Sequence, residues 1–204
     1  YNAIRSAHNP ISKALLRACD ELGMYVMDEL TDIWMIPNTP YDYGLYFHQE
    51  WKKDLKLMVE KDYNHPSVIM YSSGNEIHDI NYKEGAEIQK QLVKSFHQLD
   101  GSRPVTNCIN VLAAMVKPIP KPKTSSNDIV DPAREGKVSP LVGSKFMNLL
   151  VTLLPKVQER VKAQRICSIL GDFIEPLDIL GLNYGTHIPE QMAKVDPNML
   201  MVHG

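Results

Sequence analysis

No stretch of this chain stays apolar for long. The densest run, Leu149 to Leu154, stops at Pro155, well short of the ~20 residues a membrane-spanning helix needs. An excess of positive charge is missing too. Lysine and arginine number 22 against 24 acidic residues, a net charge of -2 with the lysines scattered, so nothing offers the basic field that holds a nucleic-acid backbone. Cysteine is scarce: Cys19, Cys108 and Cys167 lie far apart, show no zinc spacing and are odd in number, so they cannot all pair within one chain. Reduced, mostly buried thiols are expected, and with them a reducing compartment, the cytoplasm. Membrane and nucleic-acid partners are thus set aside. What is present is ordinary globular material, 44% hydrophobic and 23% charged, and 204 residues suffice for one substantial core.

Short apolar runs alternate with amphipathic stretches. The pattern predicts strands at Ala3, Met24, Val68, Val105, Leu177 and Met199. Helices are predicted over about 12–22, 47–61, 83–99, 144–154 and 156–170, with Ser12 and Gly23 as start and stop signals of the first. Such alternation argues for parallel strands joined by right-handed crossovers. Segment 31–44, rich in Pro, Asn and Tyr, is too long for a mere connector and is expected to line a site. Segment 117–140 carries Pro118, Pro120, Pro122, Pro132 and Pro140 among Lys, Ser and Asn, and reads as an insertion.

The richest stretch is Asn64-His-Pro-Ser-Val-Ile-Met-Tyr-Ser-Ser-Gly-Asn-Glu76. Val68 to Tyr71 has the β-branched and aromatic character of a covered strand, and the run opens onto the polar pair Asn75-Glu76. In a barrel of parallel strands, a carboxyl group at such an opening sits where the chemistry is done. A structural reading stands beside it, in which Glu76 caps the next helix or pairs with a lysine.

Residues 65–76 resemble the acid/base strand of glycoside hydrolase family 2. Other pieces resemble the same family and come in its order: Asn2-Ala-Ile-Arg-Ser-Ala-His8-Asn-Pro, Cys19 to Glu29, Asp32-Ile-Trp34 with Tyr41-Asp-Tyr43, and Leu180-Gly-Leu-Asn-Tyr184. The loop motifs resemble the β-galactosidase branch most. The resemblance implies an α/β fold, a partial (β/α)8 TIM barrel holding strands two to seven of the eight across residues 1–204. The outer strands and the nucleophilic Glu would then lie outside this chain. It implies a retaining glycosidase acting on terminal β-glycosides, β-galactosides first, with β-glucuronides or β-mannosides as alternatives. An inert carbohydrate-binding fragment is a further alternative.

By the same resemblance Glu76 is the general acid/base and Asn75 binds the sugar 2-hydroxyl. His8 contacts the sugar, and Tyr184 hydrogen-bonds the nucleophile. Asp28 and Glu29 end a strand, where a carboxylate binds a sugar hydroxyl or pairs with Arg5, and Asp28 is favoured for the site. Trp34 stacks on a pyranose or anchors its loop, and His65 braces the turn before the Val68 strand. Tyr71 and Ser73 depart from the family, which often has Trp and a larger apolar residue there. Some galactosidases of the family bind magnesium through a Glu-x-His pair after the Asp28 strand. Residues 28–34 contain no histidine, so no cofactor is expected, although Glu29 and Asp32 could give a divalent cation two of its oxygen ligands. A carbohydrate is the expected partner. Open barrel edges would also favour self-association or a homo-oligomer.

Overall fold

The computed structural model describes residues 1–39, 41–111, 163–184 and 188–203. The 117–140 insertion and the helix predicted over 144–154 lie outside them. In chain order the described residues give β1 (Ala3–Arg5), α1 (Lys13–Leu22), β2 (Tyr25–Glu29), α2 (Phe47–Asp62), β3 (Val68–Asn75), α3 (Lys83–Leu99), β4 (Val105–Asn110), α4 (Ala163–Ile174), β5 (Ile179–Asn183), α5 (Ile188–Val195) and β6 (Met201–His203).

Local chemistry sets the helix ends. The Ser12 side chain accepts from the Leu15 amide at 3.2 Å, and Gly23 closes α1 with φ of 67°, a left-handed conformation that glycine adopts without steric cost. On α2, Phe47, Trp51, Leu55, Met58 and Val59 recur at helical spacing and are buried. The helix predicted over 156–170 is found as α4, ending four residues later. The Leu177 amide turns back onto the Ile174 carbonyl at 2.9 Å, which delays β5 to Ile179. Helix α5 has no counterpart among the sequence expectations, although Pro189 one residue inside it and Ile188 with Met192 on one face were signals for it.

All six strands are parallel, and each pairs with its neighbour in sequence, β1 through β6. A doubly wound sheet reverses its order once, at the switch point. An unbroken order with a helix between strands is how a (β/α)8 barrel grows, and the fold is an incomplete barrel of that kind.

The core fills the layer between strands and helices. It includes Leu16, Val26, Leu55, Phe96 and Leu180, with Tyr71 stacked on Phe96 at 5.0 Å between centroids. The Tyr71 hydroxyl donates to Asp100 at 3.0 Å, so the phenol has a partner that an indole at this position would need to replace. Cys19 and Cys108 are buried, Cys167 is half-buried, and all are free thiols. No helix among the described residues is long and apolar enough to cross a membrane.

Candidate active site

The polar residues gather at the carboxyl ends of the strands, on the face turned away from the helices. Strand period does the sorting. On β2, Val26 and Asp28 face the helices while Met27 and Glu29 face inward; on β4, Val105, Asn107 and Ile109 face out while Thr106, Cys108 and Asn110 face in. Glu76 follows β3 directly. Its φ of 49° is a left-handed value unusual for a side chain other than glycine, as is the 56° of Tyr184 after β5. Hydrogen bonds from the backbone hold the turn: the Asn75 amide donates to the Thr31 carbonyl at 3.1 Å, and the Glu76 amide to the Cys108 carbonyl at 2.8 Å.

Both Glu76 oxygens are occupied. Asn110 Nδ2 donates to Oε2 at 2.8 Å and Asn183 Nδ2 to Oε1 at 3.0 Å. Asn183 Nδ2 also reaches Asn75 Oδ1 at 2.9 Å, fixing that carboxamide. Tyr184 lies beside Glu76; burial, then the Glu76 charge, raises its phenol above the usual tyrosine value. Arg5, at the end of β1, extends the cluster, with Nη1 donating to Asn183 Oδ1 at 3.4 Å and Nε 4.0 Å from Glu29.

Glu29 is fully buried. Its Oε1 lies 2.7 Å from His8 Nδ1, and its Oε2 accepts from Ser72 Oγ at 2.9 Å. The contact through Nδ1 leaves Nε2 as the His8 nitrogen available to a ligand. Cys108 lies beneath this group, where burial, then Glu29, pushes its thiol up to about 11. It therefore stays protonated and unreactive at neutral pH. His78, on the short turn after Glu76, is lowered by burial against the opposing pull of Glu76 and Asp42.

A buried polar layer supports the site from behind. Ser73 Oγ donates to the Thr106 carbonyl at 3.0 Å, and Asn107 Nδ2 donates to Ser73 Oγ at 3.1 Å and to Gln89 Oε1 at 3.0 Å. A larger apolar residue at 73 would strand these amides, which accounts for the small serine. A Cβ on Gly74 would come within 2.7 Å of Ile77 Cγ1, so any larger residue there would have to displace the Ile77 side chain.

Of the residues singled out from the sequence, Asn75 and Glu76 meet through the Asn183 carboxamide, and Tyr184 lies beside Glu76. His8 joins them through Glu29, Arg5 and Asn183. Two expectations are corrected. Asp28 shares the parity of Val26, so it points to the helix side, is fully buried and bonds Ser6, Ile11 and Lys61. Glu29 holds the inward place. Trp34 is also fully buried; it lies between Phe47 and Phe173 at 5.9 and 5.8 Å and donates its indole N–H to the Ser73 carbonyl, so it anchors the loop and presents no face to a sugar. His65 braces its turn against Asp20, with Nδ1 2.6 Å from Oδ2.

Sequence reasoning passed over Glu29 in favour of Asp28 and missed Arg5, Asn110 and Asn183 as site residues. The available signal was their shared place: each ends a strand, and three successive strands close on asparagine. Of the two acids weighed for a divalent cation, Glu29 is held by His8 and Ser72. A cavity of about 380 Å³ bordered by Pro10, Leu30, Tyr43, Met58 and Lys61 touches none of the Glu76 cluster.

Comparison with known proteins places these features. Residues 1–133 match the family described as glycosyl hydrolases family 2, TIM barrel domain. A β-galactosidase, BoGH2A of Bacteroides ovatus, is 36% identical over 136 residues, which cover 52% of this chain and 16% of that protein. The β-glucuronidase of Canis lupus familiaris is 36% identical over 110 residues, 53% of this chain and 16% of that one. A solved family 2 structure from Bacteroides cellulosilyticus superposes with a TM-score of 0.69 at 33% identity, covering 98% of this chain and 19% of that one. The chain therefore spans a fifth or less of the length of each.

Proposed function

The chain belongs to glycosyl hydrolases family 2, and on that premise we propose that it forms part of a retaining β-glycosidase with Glu76 as general acid/base. The observation that carries the reading is the position of Glu76: at a strand end, with both oxygens fixed by Asn110 and Asn183. A carboxyl group held this way cannot swing, which suits a residue that must meet a glycosidic oxygen and later a water at one place.

In a retaining mechanism Glu76 protonates the leaving oxygen while a second carboxylate, about 5–5.5 Å away, attacks the anomeric carbon. Glu76 then takes a proton from the incoming water. Asn75, its carboxamide oriented by Asn183, donates to the sugar 2-hydroxyl region. His8 offers Nε2 to a sugar hydroxyl, and Tyr184 and Arg5 border the place a nucleophile would occupy. Glu29 is too deeply buried to reach an anomeric carbon. Glu175 and Glu190 lie exposed, away from strand ends. By the family resemblance, the nucleophile is expected on a strand beyond those described.

β-Galactosides are the favoured substrate, because the Bacteroides ovatus relative bears that name. The canine relative bears the name β-glucuronidase at equal identity, so β-glucuronides are the second reading. The test is Glu76→Gln in the full-length polypeptide. Turnover of glycosides with poor leaving groups should fall by about 10²-fold or more, while activated aryl glycosides keep a fast glycosylation step. Equal, undiminished cleavage of both would remove Glu76 from the role. Assaying hydrolysis and sugar binding with the 204-residue chain itself separates an active piece from one that only binds.

A further inference from the structure

On the outer face of β2 an acidic pair does what its sequence position did not announce. Asp28 Oδ1 accepts from Ser6 Oγ at 2.7 Å, from the Ile11 amide at 2.8 Å and from the Glu29 amide at 3.1 Å. Ser6 and Ile11 bracket the loop that carries His8, so one carboxylate pins both of its ends. Asp28 Oδ2 accepts from Lys61 Nζ at 2.8 Å, and the same ammonium also contacts Asp62 Oδ1. Asp62 Oδ2 is buried and meets no hydrogen-bond donor.

Two buried carboxylates on a single lysine would leave one negative charge uncompensated away from water, a costly arrangement. Asp62 is moreover the last residue of α2, where the helix dipole disfavours a negative group. The other nearby groups supply no spare cation. Tyr71 on β3 donates to Asp100, and Asp100 is matched by Arg103. Burial alone would raise Asp100, but Ser102 and Arg103 hold it at about 2, so that pair is already balanced. His65, on the turn beyond α2, is engaged by Asp20.

We propose that Asp28 and Asp62 share one proton, and that this pair, clamped by Lys61, is a positioning device for the His8 loop. The proton sits on Asp62 and is donated to Asp28, which satisfies the orphaned oxygen and leaves the three groups neutral overall. Asp28 then keeps its other lone pairs for Ser6 and Ile11. Burial, reinforced by Asp28 and opposed by Lys61, raises the Asp62 carboxyl to about 8.

The sign of the pH effect follows. A carboxyl raised in the closed loop and ordinary in the open one stabilises closure fully below its free value near 4. That contribution is lost as pH climbs toward about 8, and above it the effect is flat.

The experiment uses the whole 204-residue chain. Carbon-13 NMR should show the Asp62 carboxyl titrating several pH units above exposed carboxylates. Exchange protection of the Ile11 amide, corrected for intrinsic rate, should fall by up to about tenfold per pH unit between pH ~5 and ~8, then level. Asp62→Asn, whose amide N–H can replace the shared proton, should abolish that slope while keeping the protection. An Asp62 signal titrating with the surface acids overturns the proposal, and so does Ile11 protection that is flat across this range in the native chain. Both measurements are made on the native chain, so the outcome does not depend on the variant folding. Neither involves sugar, so the proposal and the glycosidase reading stand or fall separately.

Discussion

Adjacent residues with the same chemistry take different tasks on β2. Glu29 turns inward and holds the His8 ring, Ser72 and, at 4.0 Å, Arg5; Asp28 turns outward and holds the backbone of the loop that carries His8. Glu29→Leu keeps much of the volume but removes the carboxylate from Ser72, His8 and Arg5, leaving Ser72 with the Gly74 carbonyl and Arg5 with Asn183. Arg5 and His8 are partly exposed, so the cost falls at the lower end of the about 3–5 kcal/mol of a fully buried pair. Urea unfolding should show a loss of that order at unchanged slope, together with weakened sugar binding through a misaligned His8. A loss under about 1 kcal/mol would mean that the inward network contributes little. Choosing Asp28 over Glu29 from sequence failed on parity, since the apolar Val26 already assigned its side of the strand to the helices. Trp34 failed for another reason. Loop residues carry no period, so burial between Phe47 and Phe173 becomes legible only when α2 and α4 are both in place.

At the scale of elements, strand ends and short turns do the positioning. The turn from Glu76 to α3 is fitted closely: a Cβ on Gly85, in the first turn of α3, would sit 2.0 Å from the Asp79 carbonyl oxygen. Helix propensity alone would make Gly85→Ala stabilising by about 1 kcal/mol. The collision with backbone should win, because it forces the 77–82 turn to move and overpacking costs about 1–3 kcal/mol. The expected outcome is a lower melting temperature, together with loss of the Glu76 geometry, read as weaker binding of a glycoside. A rise in melting temperature would show that the turn yields. Most elements were legible in sequence because their signals are local: the Ser12 and Gly23 caps of α1, the helical spacing on α2, the β-branched run of β3. Helix α5 escaped because only eight residues carry its pattern.

The molecule as a whole is a sheet in sequential order whose end strands, β1 and β6, each have one paired neighbour among the described residues. Backbone groups on an unpaired strand edge are a template for further pairing. The 204-residue chain is therefore expected to associate with itself or with a segment that supplies the adjoining strands. Light scattering across a concentration series checks this, and a monomer of constant mass with a cooperative melt would contradict it.

Sequence alone determined the strand and helix alternation, the placing of Glu76 at a strand end and the family resemblance, since these depend on period, punctuation and residues adjacent in the chain. Tertiary structure alone decided which carboxyl groups face inward and what they touch. Arg5 and Asn183 lie 178 positions apart, and Asp28 and Lys61 lie 33 apart, yet each pair is in contact. The physical reason is that a side chain's partner is set by register and crossover across strands, and those distances are written only in the folded sheet.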